Sequence, residues 1–194
     1  MHEFALRPIT PADLPHLVAL DDDPQVMRYL NGGRPADRLH IEQVVLPAFL
    51  AASRAGPHLG VWVVEGALRG RDARQFLGWV SLRRMDPAQP ATATLGFRFK
   101  RASWGRGVAT AAARPVLTRA FDAGEVERVV ATTYQDNVAS QHVLEKLGFA
   151  LVGRFRPTLD EVSSGATYAG GDEVWDGDEL AYELTTAPTP PAPT

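Results

Sequence analysis

The clearest chemistry lies in Arg101-Ala-Ser-Trp-Gly-Arg-Gly107, which closes a β-patterned run and opens an alanine-rich helical one. A strand that turns straight into a helix leaves the first helical N–H groups without intrahelical partners, all pointing one way. Glycines at 105 and 107 let a ligand approach that backbone, and the helix macrodipole favours negative charge there. The flank agrees in sign: between Pro87 and Phe121 there is no acid, and there are six bases, Arg98, Lys100, Arg101, Arg106, Arg114 and Arg119. The pattern reads as a pyrophosphate cradle, against the plainer alternative of two glycines shaping a turn. It is not a P-loop, because GxxxxGK[ST] is absent. Nor does Gly-Arg-Gly-Val-Ala-Thr hold the third glycine of a dinucleotide fingerprint, and a β-hairpin precedes it where a Rossmann unit needs βαβ.

A second constellation is Asn137-Val-Ala-Ser140, followed by Glu145-Lys-Leu-Gly-Phe149. Alone, Asn137 reads as a helix cap and Ser140 as an ordinary first-turn residue. His142 reads as a surface or packing histidine, and Tyr134 either packs or lines an acceptor site. The histidines, His2, His16, His40, His58 and His142, show no HExxH or paired spacing, and there is no cysteine. No metal site and no disulfide are expected.

The elements that must position these residues follow from periodicity. Phe4–Pro8 reads as a strand; Thr10-Pro11 as N-cap and first helical position of a helix through about Leu20; a second helix ends at Asn31-Gly32-Gly33. Asp37 caps a longer helix with Ile41, Val44, Val45, Ala48, Phe49 and Ala52 on one face, kinked at Pro47. Period two then takes over in Val61–Val64, Phe76–Arg83 and Thr92–Lys100, three consecutive antiparallel strands. Phe76, Gly78, Val80 and Leu82 share one face; Gly96 inside the third strand implies a bulge or a close approach. Gly107–Asp122 is a helix, Arg128–Tyr134 a fully buried strand, Asn137–Leu147 a helix, and Phe149–Phe155 and Glu179–Leu184 are strands. A long polar loop spans 157–177.

The 194 residues suit one domain over 1–184, followed by a disordered Pro/Thr/Ala tail over 185–194. A net charge of −3 argues against nucleic acid as a partner. From Pro157 onward there are acids and no base, which suits solvent or a cationic acceptor. The start lacks a cationic and apolar leader pattern, and no apolar run approaches membrane length, so a soluble cytoplasmic protein is expected. Only Lys100 and Lys146 are lysines among twenty bases, a skew expected of a GC-rich bacterial genome.

From Leu95 to Val152 the chain resembles the core of the GNAT N-acetyltransferases, in the Rim-type branch of ribosomal-protein alanine and serine N-terminal acetyltransferases (RimJ/RimL-like). The resemblance rests on Leu-Gly-Phe-Arg-Phe99, Trp104-Gly-Arg-Gly-Val-Ala-Thr110, Asn137-x-x-Ser140 and Glu-Lys-Leu-Gly-Phe149. Leu6-Arg7-Pro8, Asp23-Pro24-Gln25-Val26, Phe76-Leu-Gly-Trp79 and Asp178-x-Leu-x-Tyr-x-Leu184 extend it over nearly the whole chain. It implies an α/β (α+β) GNAT fold: a mixed, mainly antiparallel central sheet flanked by helices, with strands four and five splayed. It implies acetyl transfer from acetyl-CoA to a primary amine, a protein or peptide N-terminal α-amine or a small amine, by direct attack in a ternary complex. A GNAT-fold acyl-CoA sensor without turnover is the alternative, a nucleotide-binding module a remoter one. The cofactor-binding residues implied are Phe97, Arg98, Phe99, Trp104, Gly105, Arg106, Gly107, Val108, Ala109, Thr110 and Asn137; the catalytic ones are Ser140 and Asn137. A homodimer is left open. The family's usual carboxylate before Leu-Gly is Thr94 here, the Glu after the loop is Ala111, and the tyrosine acid is Leu144. That leaves no evident general base and Ser140 as the candidate acid.

Overall fold

The computed structural model describes residues 4–35, 37–67, 74–156 and 177–189. The elements run β1 (Phe4–Pro8), a 3-10 turn (Pro11–Asp13), α1 (Leu14–Asp21), α2 (Pro24–Asn31), α3 (Arg38–His40), a π turn (Ile41–Val45) and α4 (Leu46–Ala52). They continue with β2 (Gly60–Gly66), β3 (Gln75–Arg83), β4 (Thr92–Phe99), a 3-10 turn (Arg101–Ser103), α5 (Val108–Asp122), β5 (Arg128–Tyr134), α6 (Val138–Leu147), β6 (Ala150–Phe155) and β7 (Glu179–Leu184). The described strands form one seven-stranded sheet in the order β1-β2-β3-β4-β5-β7-β6. Every neighbouring pair is antiparallel except β4 and β5. This is the mixed, mainly antiparallel α/β architecture expected.

Prolines decide two departures in the helices. Pro15 has no N–H to give Pro11, so a helix from Thr10 cannot make its α bond onto Pro11 O. The chain instead makes a 3-10 turn, with Leu14 N–H on Pro11 O, and only then enters α1. Thr10 therefore donates its hydroxyl to Asp13 at 2.9 Å rather than capping through it. Asp13 also accepts from Thr10 N–H at 2.8 Å and from the Arg7 guanidinium at 2.6 Å. Burial pushes the Asp13 carboxyl up, but these partners outweigh it and hold it below its ordinary value. Ahead of Pro47 the helix widens by one residue, Leu46 N–H bonding Ile41 O, so a π turn absorbs what was expected as a kink.

The sheet is covered on both faces. One face packs Val80, Leu82, Leu95, Phe99 and Val129 against Val108, Ala112, Ala113, Val116 and Leu117 of α5 and Leu144 and Leu147 of α6. The other packs Val61, Val63, Phe76 and Trp79 against Leu17, Leu20, Ile41, Val45 and Phe49. Phe76 thus lies with Trp79 and not with Val80 and Leu82: β3 skips a register position at Leu77, which reverses the alternation. The second helical layer reaches β2 and β3 but not β5. Accordingly β5 is not fully buried; Val129, Ala131 and Thr133 are covered, while Val130 is half-buried and Thr132 exposed. Over that face lies a cleft of about 210 Å³ lined by Met85, Asp86, Gln89, Thr92, Thr94, Arg128 and Val130.

Of the tail expected to be disordered over 185–194, Thr185–Thr189 lies beside α5, where Arg114 donates to Thr189 O and Pro188 is buried. Residues 190–194 of the expected tail, and 157–176 of the expected acidic loop, lie outside the described residues. Among the described residues no helix is long and apolar enough to cross a membrane.

Candidate active site

β4 and β5 run parallel, so both of their C-terminal ends, and the helices that follow them, meet at one end of the sheet. Between β4 and α5, Lys100 N–H bonds Leu77 O at 2.8 Å, and Ser103 and Trp104 close the 3-10 turn by bonding Lys100 O and Arg101 O. The buried Ser103 hydroxyl donates to Leu77 O as well, and Val108 enters the core, so both ends of the loop are anchored. The stretch from Trp104 to Gly107 itself is exposed. Gly105 and Gly107 adopt φ of 67° and 73°, the left-handed region, and a Cβ on either would meet nothing within 4 Å. These glycines are therefore required by backbone shape, and the space in front of them is open to a ligand.

The first backbone bond of α5 is Ala111 N–H to Gly107 O at 3.0 Å. The N–H groups of Val108, Ala109 and Thr110 precede it, and a glycine N-cap brings no side chain to accept from them. This is the donor set that a diphosphate requires.

A second opening lies along β4. The β4–β5 ladder pairs only Thr92 with Arg128, Ala93 with Val129 and Thr94 with Val130. Beyond it, β4 continues to Phe99 along β3, and β5 continues to Tyr134 along β7, with a gap between them. Because Lys100 bonds back to β3 and the β3–β4 register runs unbroken, alternation turns the backbone groups of Phe97 and Phe99 toward the gap. The Trp104 indole N–H takes the Phe99 carbonyl at 2.8 Å. The backbone of Phe97 is left facing a slot that an extended, amide-bearing arm can enter like a strand.

On the β5 side, the Asn137 side chain accepts from Ser140 N–H at 3.2 Å and caps α6. Gln141 holds the same turn, donating to Gln135 O at 2.7 Å. Ser140 is half-buried in the first turn of α6, Tyr134 is buried, and His142 is exposed. Leu144, where the resemblance expects a tyrosine, is buried among α5 and sheet residues.

Two expected site features are corrected. The Arg98 side chain does not join a phosphate site: it is buried on the opposite face of β4, bonding Asp21 at 2.5 Å and lying 5.5 Å from the Trp79 ring centroid. Alternation forces this, since Arg98 sits between Phe97 and Phe99, which face α5. Of the basic flank, Arg114 bonds Lys146 O and Thr189 O, and Lys100 lies over the Phe76 ring, so Arg101 and Arg106 are the exposed bases nearest the loop. Gly96 faces the Arg98 side of the sheet, where a Cβ would sit 2.9 Å from Ser81 Oγ, so the close approach there is by Ser81. Asp21 was missed by sequence reasoning. The signal available was Asp21-Asp22-Asp23, where the cap of α2 uses Asp23 alone.

Residues 3–150 match the family model described as "Acetyltransferase (GNAT) domain". The uncharacterized protein YkkB of Bacillus subtilis is 28% identical over 129 residues, which cover 66% of this chain and 70% of that protein. Among solved structures, Mycobacterium smegmatis RimJ in complex with CoA-disulfide superimposes with a TM-score of 0.66 at 22% identity, over 94% of this chain and 81% of that one. Vibrio cholerae spermidine N-acetyltransferase in complex with CoA and spermine gives 0.67 at 17% identity, over 95% and 96%.

Proposed function

We propose, on the premise that the chain belongs to the GNAT acetyltransferase family, that its acceptor is the α-amine of a protein or peptide N-terminus, or a small amine of similar basicity. The protein is an acetyl-CoA-dependent N-acetyltransferase. The observation that carries the acceptor reading is what borders the gap: Thr94 ends the ladder where a carboxylate could stand, and the tyrosine position holds a buried leucine. With no titratable side chain at these two positions, an amine that is already partly neutral is favoured. An α-amine of pKa ~8 meets that condition, whereas a lysine amine of pKa ~10.4 does not. The Rim-type resemblance and the likeness to RimJ support the same reading.

The open cradle and the half-unzipped β4 fit the cofactor. Acetyl-CoA, when bound, supplies the thioester that the amine attacks. In our reading the N–H groups from Gly105 to Thr110 hold the diphosphate, with Arg106 adding charge from solvent. The backbone of Phe97 and Phe99 aligns the arm, and the Phe97 N–H faces the position where negative charge develops on the carbonyl oxygen. The attacking amine releases its proton to water, and Ser140 passes one, relayed from water because its own acidity is poor, to the departing thiolate. Asn137 fixes the turn that presents Ser140.

A thiol-release assay over peptides starting with Ala or Ser, spermidine, aminoglycosides and small amino compounds tests the acceptor. The highest kcat/KM is expected on the peptides. Turnover confined to spermidine, or no release on any of the peptides, would sink the α-amine reading.

A further inference from the structure

We infer that the buried Arg98–Asp21 ion pair is a positioning device that sets the acetyl-CoA slot, fixing the unzipped half of β4 against α1. The inference rests on the cofactor reading above. Beyond Thr94, β4 has lost β5 as a neighbour and is paired with a strand on one edge only, its free edge held at Phe99 O by the Trp104 indole. A strand held along one edge can twist and shift, yet the Phe97 backbone, which must meet the cofactor arm, lies in that half. Arg98 is the next residue, and its side chain leaves the opposite face of the strand.

There it meets Asp21, the last residue of α1, at 2.5 Å, with both side chains about 5% exposed or less. The partners are 77 residues apart in sequence. The Trp79 ring, its centroid 5.5 Å from the guanidinium, backs it. Asp23 caps α2 directly after, so the pair is tied to a rigid helical corner.

Fold stability is a poor reason for such a pair. Burying two charges costs more than most pairs return, and apolar side chains of similar size commonly do as well. Burial indeed pushes the Asp21 carboxyl above its ordinary value despite Arg98, with Asp22 adding to the rise. What an apolar pair cannot supply is a directional bond from one atom of β4 to one atom of α1. A shift of one ångström in a binding strand is enough to spoil alignment.

The test compares two probes by calorimetry: acetyl-CoA, which needs both cradle and slot, and ADP, which offers a diphosphate without the arm. In Asp21→Asn, acetyl-CoA affinity should fall at least tenfold while ADP affinity changes less than twofold. Asp21→Leu/Arg98→Met removes both charges and keeps the fold where the single variant does not; it should show the same split at a wild-type melting temperature. Acetyl-CoA affinity at the wild-type level in the double variant, or equal losses for both probes, would overturn the positioning role. Equal affinity of the wild-type chain for the two probes would instead overturn the cofactor reading itself.

Discussion

The N-termini of α5 and α6 stand at the same end of the sheet and are finished in opposite ways. At α6 the protein answers its own donors: Asn137 Oδ1 takes Ser140 N–H, and Gln141 fastens the preceding turn. At α5 the N-cap is Gly107, and the first three N–H groups are left to whatever arrives. The same dipole and the same orphan donors are present at both helices. One end is closed with a side chain and can carry a precisely held residue; the other is kept bare and can carry a ligand. Binding and positioning are thus divided between two helix starts only a slot apart.

The division breaks most sharply at Gly107. Replacing it with valine puts a branched side chain into the left-handed region and into the open cradle. Each hydrogen bond to a charged ligand is worth about 1.5–3 kcal/mol, so losing two should weaken CoA binding at least a hundredfold by calorimetry. Unchanged affinity in a folded Gly107→Val protein would remove the loop from the site. Ser140→Ala should leave the acetyl-CoA KM alone and lower kcat about tenfold, ~1.4 kcal/mol of barrier, because water replaces part of a relay. Wild-type kcat with chemistry rate-limiting would reduce the serine to a residue of the capped turn.

Asn137→Ala should cost about 1 kcal/mol of stability, the usual worth of a cap, seen as a lowered melting temperature with CoA affinity changed only a few-fold. A loss of CoA affinity as large as that of Gly107→Val would make α6 a second binding end and erase the contrast. Smallest is Arg106→Ala. An exposed base adds at most about 1 kcal/mol, so CoA affinity should drop three- to fivefold, and salt should shrink even that difference.

Much of this was legible in the residues. The alternation in Phe4–Pro8 and the capping chemistry of Asn137 act locally, so a few side chains suffice to declare them. So does Gly-Arg-Gly at a strand-to-helix turn, where backbone shape leaves no other residue type comfortable. What was not legible depends on partners far along the chain. Arg98 read as one more base beside an anion site because nothing near it announces Asp21. Gly96 read as a bulge or a close approach, and what approaches is Ser81 across the sheet, which nothing near Gly96 in sequence names. β5 read as buried because its β-branched residues suit that, yet whether its second face is covered depends on how far the α1–α4 layer extends. The π turn before Pro47 is a compromise between two local rules, and sequence pattern states each rule without saying which yields.

The three-pair ladder between β4 and β5 also bears on how the chain folds. Strands β2, β3 and β4 pair with neighbours close in sequence, whereas Thr92–Thr94 must find Arg128–Val130 across the whole of α5. Closing so long a loop for so short a ladder returns little until both sheet halves exist, so this junction belongs late in folding. Substitutions there should leave the refolding rate nearly unchanged and accelerate unfolding. The seam that admits a substrate is then also the seam along which the molecule first comes apart.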